Sequence, residues 1–184
     1  MEETDEEIYR SYLAQGSEND LRALLLRHRE GLTLFSAGIV GNLYDGEEVM
    51  LDAFAVVASG TSRFDGRSSF RTWLFGIARK LAANRVRRRR FMLLPLDERP
   101  DEEVPSSDFV MLQEERNRQL YKALDSLTPD YRQALFLIYL EEMSVEETAR
   151  IMGKSAKQVY NLAYRGKQAL KEALERTGFT DAID

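Results

Sequence analysis

The chain has 184 residues, 26 basic and 31 acidic side chains, a formal net charge of −5 and no cysteine, which removes disulfides, thiolate metal sites and thiol nucleophiles together. Its start, MEETDEEIYR, lacks the basic and apolar segments of a secretion signal, and no apolar run is long enough to cross a bilayer. A soluble, cytoplasmic protein without membrane insertion is expected.

Ser17 with Asp20 three residues later reads as a capping box, and Leu21, Leu24, Leu25, His28, Leu32, Phe35 and Ile39 then hold one helical stripe until Gly41 and Asn42 stop it. His28, the single histidine, lies on that apolar stripe and is expected to be packed and hydrogen-bonded, with no catalytic role. Asp45 can cap the next helix, with Val49, Met50, Ala53, Phe54 and Val57 inward and Gly60 at its end. The acids Glu47, Glu48 and Asp52 on its outer side are either ordinary solubilising surface or a docking face for a basic partner.

Residues 63–90 then hold ten bases against one acid, Asp65, whereas residues 1–62 hold twelve acids against four bases and residues 91–130 hold ten against four. A basic strip of this density on an acidic chain marks a polyanion-binding face. Four aromatics, Phe64, Phe70, Trp73 and Phe75, are interleaved with the charges, and aromatic planes beside arginines suit unstacked bases. Phe70, Leu74, Ile77 and Leu81 also recur at helical spacing, with Trp73, Ala78 and Val86 near the same stripe, so part of this set is the buried side of a helix. Phe64 precedes the helix in a Gly- and Ser-containing loop and fits either role.

From Phe91 to Asp108 the chain has three prolines, many acids and no period, which reads as a flexible linker whose acids can lie against the basic strip. Phe91, Met92, Leu93, Leu94 and Leu96 suggest that its beginning packs on something. A second helical unit follows: Phe109, Leu112, Leu120, Ala123, Leu124 and Leu127 mark one helix, and Thr128-Pro129-Asp130 starts another with Ala134, Leu135 and Ile138 buried. Ser144 with Glu147 forms a capping box, Gly153 is a stop, and Ser155 with Gln158 opens a last helix to about Glu175.

Two helices joined across Gly153-Lys154-Ser155 have the spacing of a helix-turn-helix. At one hundred degrees per residue, Val159, Leu162, Ala163, Gly166, Ala169 and Leu170 face inward. Lys157, Asn161, Tyr164 and Gln168 then face outward, flanked by Tyr160, Arg165 and Lys171, a set suited to base edges and phosphates. Gly153-Lys154-Ser155 is not a phosphate-binding loop, because Thr148 stands where the earlier glycine is needed and no strand precedes it. No metal ligand set and no nucleophile with its base can be found, so neither catalysis nor a cofactor is expected.

These residues resemble a known family. FDGRSSFRTWLFGIARKLAANRVRRRR is similar to the promoter-melting region of the extracytoplasmic-function sigma factors, and the stretch from Leu124 to Leu174 resembles their C-terminal helix-turn-helix domain. The resemblance implies an all-α chain with a first domain over residues 1–92, a linker over 93–108 and a second domain over 109–184. It implies bacterial RNA polymerase core as partner, through its beta-prime clamp helices and beta flap, with Glu47, Glu48 and Asp52 on the clamp. Phe64, Asp65, Arg67 and Ser68 are then the loop that captures a flipped base of the single-stranded minus-ten element, with Arg71, Trp73, Lys80, Asn84, Arg87 and Arg88 along the melting helix. Lys157, Gln158, Tyr160, Asn161, Tyr164, Arg165 and Lys171 are implied to read the duplex minus-thirty-five element, and an anti-sigma factor is implied as a further partner.

Several positions depart from the family pattern. Glu48-Val49-Met50-Leu51-Asp52 stands where relatives carry an acid-Leu-Val-Gln-Glu run, Lys80 where many have asparagine and Asn84 where many have aspartate. Tyr160 and Leu162 occupy recognition-helix positions that are usually basic. Two other classes of function also fit the residues: a stand-alone helix-turn-helix regulator that adds phosphate contacts through the basic strip, and a scaffold whose acidic helices bind only protein.

Overall fold

The computed structural model describes residues 3–92 and 115–176, all of it helix, turn or short connection. The all-α expectation holds. The expected linker, with Phe109, Leu112 and any contact between linker acids and the basic strip, lies outside the described residues.

The first helix, α1 (Asp5–Gln15), has a weak apolar stripe, with only Ile8 and Tyr9 buried, so its start signal at Thr4 and Glu7 is the feature that marks it. A reciprocal capping box between Thr4 and Glu7 starts it, and Gly16 ends it at φ 65°. Helix α2 (Glu18–Val40) begins at Ser17, but only half of the expected box forms. The Ser17 hydroxyl accepts from the Asp20 N–H, while Asp20 Oδ2 has no hydrogen-bond partner among the described residues.

Helix α3 (Leu43–Ser59) starts earlier than the sequence suggests. Asn42, not Asp45, is its N-cap, and its side-chain oxygen accepts from the Asp45 N–H at 2.8 Å. Asp45 lies in the first turn, buried, and turns its carboxylate toward two arginines of the next helix. Beside it the α2–α3 crossing is so close that a Cβ on Gly46 would come within 2.7 Å of the Thr33 carbonyl oxygen.

Helix α4 (Phe70–Met92) lies against both α2 and α3. Phe70, Leu74, Phe75, Ala78 and Ala82 are buried, so Phe75 belongs to the core and not to the charged face. Burial of Phe35, Phe70 and Phe75 contributes roughly 1.5–3 kcal/mol each. Phe91 and Met92, expected to pack, are 74% and 86% exposed in the final turn among the described residues.

Beyond the undescribed segment come α5 (Glu115–Asp125) and α6 (Pro129–Leu135). Thr128 holds the N-cap position with Pro129 at N1, although its hydroxyl makes no capping bond. The helix expected to run on through Ile138 instead widens into a π-helical segment, Phe136–Leu140. Glu141 N–H donates to Phe136 O at 3.0 Å, and Glu142 then takes φ 51°. Widening shifts the phase of following side chains by about one residue, or about 100°, and Glu141 thereby faces the first helical group. Helix α7 (Val145–Met152) carries the full Ser144–Glu147 capping box and ends at Gly153, φ 63°. Helix α8 (Ala156–Arg176) completes the helix-turn-helix and seats against α6.

The two helical groups share one hydrophobic cluster. The rings of Phe35 and Phe136 lie 5.9 Å apart across the junction, and Arg132 donates to Gly38 O at 2.8 Å.

Candidate nucleic-acid interface

In α8 the helical period divides inside from outside as the sequence implies. Val159, Ala163 and Gly166 are buried, Leu162, Ala169 and Leu170 are half-buried, and Lys157, Gln158, Tyr160, Asn161, Tyr164, Arg165, Gln168 and Lys171 are exposed. Gly166 permits this seating: a Cβ there would lie 3.2 Å from Leu135 Cγ and 3.3 Å from Tyr131 Cβ. Gln158 is partly committed, since its Oε1 accepts from the Ser155 N–H at 2.8 Å to cap the helix. Lys171 pairs only loosely with Glu175, at 4.0 Å on an exposed surface. Tyr160 and Tyr164, 64% and 59% exposed, give this face an apolar as well as a polar vocabulary.

The loop before α4 is ordered by its own side chains. Asp65 Oδ1 accepts from the Arg67 N–H at 3.0 Å, Gly66 sits at φ 72°, and Ser68 Oγ donates to the Ser69 carbonyl. Phe64 is half-buried, with ring centroids 6.0 Å from Tyr9, 6.0 Å from Phe70 and 5.5 Å from Trp73. Phe64 thus packs on the core on one side and lines an open cavity of about 400 Å³ on the other. The opposite wall comes from Glu6, Tyr9, Arg10 and Leu13 of α1, so the unforeseen first helix supplies half of this pocket. An aromatic wall beside Arg10 and the Ser68 hydroxyl can stack a base and bond its edge.

Along α4 the basic strip separates into paired and free side chains. Arg85 pairs with Asp45 at 2.8 Å and with Glu48, and Arg89 pairs with Asp45. Burial raises the Asp45 carboxyl pKa, but the Asn42 amide and the two guanidinium groups outweigh it and hold the carboxyl below its ordinary value. Arg79 Nε donates to Gln133 at 2.8 Å, and Arg71 pairs with Glu141 in the second group. Lys80, Asn84, Arg87 and Arg88 remain exposed, with Arg87 donating to Asn84 Oδ1 at 3.1 Å. Of the expected melting-helix residues, Arg71 is thus engaged within the chain, Trp73 is half-buried in the aromatic cluster, and the other four face outward.

On α3, Glu47 and Asp52 are exposed, while Glu48 is half-exposed and held by Arg85. Tyr44 and Leu51, which the sequence did not single out, stand on the same face, 71% and 51% exposed. His28 is packed as expected, its Nε2 2.7 Å from Asp5 Oδ2.

The residues that sequence reasoning missed are those that act across long separations. Arg132 donates to the carbonyl oxygens of Leu124, Asp125, Leu127 and Gly38, and so closes the end of α5 while tying it to α2. Glu141 and Glu147 reach α4. Burial raises the Glu147 carboxyl pKa, yet bonds from the Ser144 backbone and hydroxyl, then from Thr72 and Ser69, bring it below the ordinary value. Only the capping role of Glu147 had a local signal.

Comparison with known proteins identifies the family. Sigma-70 region 2 matches residues 21–92, and sigma-70, region 4 matches residues 117–170. The chain is 27% identical over 167 residues to the ECF RNA polymerase sigma factor SigX of Bacillus subtilis (strain 168), covering 86% of this chain and 85% of that one. It is 24% identical to the ECF RNA polymerase sigma-E factor of Escherichia coli (strain K12), covering 95% and 96%. Among solved structures, the sigma factor RpoE in complex with the anti-sigma factor NepR from Bartonella quintana has the same fold. The TM-score is 0.67 and the identity 21%, over 85% of this chain and 97% of that one. CnrH, in complex with the cytosolic domain of CnrY, matches with a TM-score of 0.65 and 22% identity, over 92% and 96%. With both sigma-70 regions present in order and relatives of the same kind spanning nearly the whole chain, this protein belongs to the sigma-70 family, among its extracytoplasmic-function members.

Proposed function

We propose that the chain binds bacterial RNA polymerase core in the cytoplasm and directs it to promoters through two separate DNA faces. The observation that carries this reading is their coexistence: an aromatic-walled pocket at the head of a basic helix, and an outward-facing recognition helix in a helix-turn-helix. A stand-alone regulator needs only the second. Residues 1–92 and 109–184 are the working units of this reading, with 93–108 as the connection.

In this reading the outer face of α3 meets the clamp, through Glu47 and Asp52 with Tyr44 and Leu51 beside them. Glu48 has a different part, since it holds Arg85. The pocket between Phe64 and α1 takes a base flipped from the minus-ten strand, Gly66 and Ser68 line it with Asp65 and Arg67 adjacent in the loop, and Lys80, Asn84, Arg87 and Arg88 follow the strand along α4. Asn161 and Tyr164 reach base edges of the minus-thirty-five duplex while Arg165 and Lys171 meet phosphates. The exposed tyrosines shift recognition toward apolar contacts, including a thymine methyl. An anti-sigma factor is the expected inhibitor, as in the matching RpoE–NepR structure.

The test is gel filtration with core polymerase followed by promoter-dependent run-off transcription. A stable complex and discrete transcripts are expected. Duplex binding by the chain alone, with no polymerase complex, would return the stand-alone regulator. Phe64→Ala should reduce open-complex formation and spare polymerase binding; equal loss of both would make Phe64 purely a core residue.

A further inference from the structure

One helix, α1, holds both roots of the loop that carries Phe64. At the first root the Tyr12 hydroxyl donates to the Ala58 carbonyl oxygen at 3.3 Å, one residue before the end of α3. At the second, Glu6 Oε1 accepts from the Phe70 N–H at 2.7 Å, at the first residue of α4. Between them the Tyr9 ring is buried against Phe64, Phe70 and Trp73, with centroids 6.0, 5.0 and 5.7 Å away. Positions 6, 9 and 12 follow at three-residue spacing along one side of α1, so this helix spans the loop from root to root.

The Glu6 contact supplies something that α4 lacks. The first N–H groups of a helix have no partner inside it. Ser69 Oγ accepts from the Thr72 N–H at 3.1 Å, but α4 has no acid in its own first turn. The carboxylate comes instead from Glu6, 64 positions earlier, and a negative charge there also suits the positive end of the helix dipole. Helix α1 is itself fixed from behind. Asp5 Oδ2 lies 2.7 Å from His28 Nε2, Asp5 Oδ1 lies 2.7 Å from Arg27, and Arg27 also donates to the Glu3 carbonyl oxygen. The sigma-70 region 2 match begins at residue 21, so α1 stands outside it.

We propose that α1 is a splint for the strand-holding loop and that Glu6 is a positioning residue for capture of the flipped base. The inference rests on the reading of the Phe64 pocket as the seat of a base from the minus-ten strand. Residues 65–67 at the tip of the loop are exposed, so burial does little to fix them and the shape of the pocket depends on where the roots are held. Holding both roots before DNA arrives moves the cost of ordering the loop from the capture step to folding. Glu6 acts through the backbone of Phe70 and not on the base.

The test uses holoenzyme reconstituted from core polymerase and the full chain, with fork-junction DNA whose minus-ten non-template strand carries an abasic site at each position in turn. In the parent one position should stand out, its abasic form binding about tenfold more weakly. Glu6→Ala should bind the intact fork about fivefold more weakly and lose the abasic penalty at that position, because removing a base that is no longer captured costs nothing. Glu6→Gln, whose amide oxygen still accepts from the Phe70 N–H, should match the parent in affinity and in base preference. Tyr12→Phe, which loses only the hydroxyl bond at the other root, should show the Glu6→Ala signature at about twofold. Gel filtration with core polymerase should be unchanged in all three, and if Glu6→Ala fails to fold, Tyr12→Phe carries the decision. Parental affinity and a parental abasic penalty in both Glu6→Ala and Tyr12→Phe would overturn the proposal. Uniform weakening that leaves the penalty in place would also overturn it, by making Glu6 a matter of general stability. An altered base preference in Glu6→Gln would overturn it too, by making Glu6 a base contact. A parent with no position sensitive to base removal would instead locate the failure in the pocket reading.

Discussion

Helices α4 and α8 are similar in length, 23 and 21 residues, and both carry basic outer faces, yet they dispose of their charges in opposite ways. On α8 the outward residues are open to solvent and the one ion pair among them, Lys171 with Glu175, is long and exposed. On α4, Arg85 and Arg89 are held by carboxylates of α3, and Arg71 by Glu141. The difference follows from position. α8 rests on the rest of the fold along one stripe only, whereas α4 is wedged between α2, α3 and α7 and its charges must find partners where they meet those neighbours. A basic run in a sequence is therefore a reservoir from which tertiary packing withdraws some members, and the remaining Lys80, Arg87, Arg88 and Arg90 define the open face among the described residues.

The sharpest way to break the comparison is Asp45→Ala. Its carboxylate is the shared partner of Arg85 and Arg89 and accepts from Asn42. Removing it should cost about 2–3 kcal/mol in urea unfolding, less than a fully buried pair because both arginines are partly open to water. A loss no larger than that of Lys171→Ala would mean that α4 and α8 hold their charges alike.

Recognition by α8 gives the next effect. Asn161→Ala in the polymerase holoenzyme should change preference among minus-thirty-five sequences, costing about 1–3 kcal/mol at the base it reads. Transcription across a randomised minus-thirty-five library measures this. An unaltered preference would show that the phase assigned to this helix is wrong.

Acid should act on the paired side of the molecule first. In Asp5 and Asp45 burial raises the carboxyl pKa, but His28 and Arg27 around the first, and Asn42, Arg89 and Arg85 around the second, bring both below their ordinary value of 3.8. Glu147 likewise lies below 4.5. A carboxyl depressed in the folded state gives stability that is complete above its unfolded pKa and is lost as pH falls through the folded one. Stability should thus be flat from neutral pH to about 5 and decline below about 4, and in Asp45→Ala the decline should be shallower. The check is urea unfolding at a series of pH values.

Lys171→Ala should give the smallest effect. It should weaken all promoters about equally and lower the slope of log affinity against log salt by about one. A change of sequence preference in this variant would place Lys171 on a base and not a phosphate.

Local signals were legible wherever a residue acts on near neighbours. The Ser144–Glu147 box, the left-handed stops at Gly41, Gly60 and Gly153, the inward and outward faces of α8 and the packed state of His28 all follow from side chains within a few residues or from helical period. Not every local signal is read: the Thr4–Glu7 box of α1 is obscured because two buried residues make no stripe, and Asn42 competes with Asp45 as a cap three residues away. Phe75 was grouped with the charges by adjacency in sequence, although its direction on α4 points it into the core.

What the sequence determined by itself is thus the helical class, the two candidate nucleic-acid faces and their order along the chain, because period, capping and charge density act over short stretches. Tertiary structure decided which arginines stay free, that α1 walls the pocket of Phe64, and that Glu141, Glu147 and Arg132 join the two helical groups. Those contacts link residues 70, 75 and 94 positions apart. No local pattern specifies such pairs: an exposed acid and a half-buried acid that joins two helical groups look alike until the helices that carry them are packed.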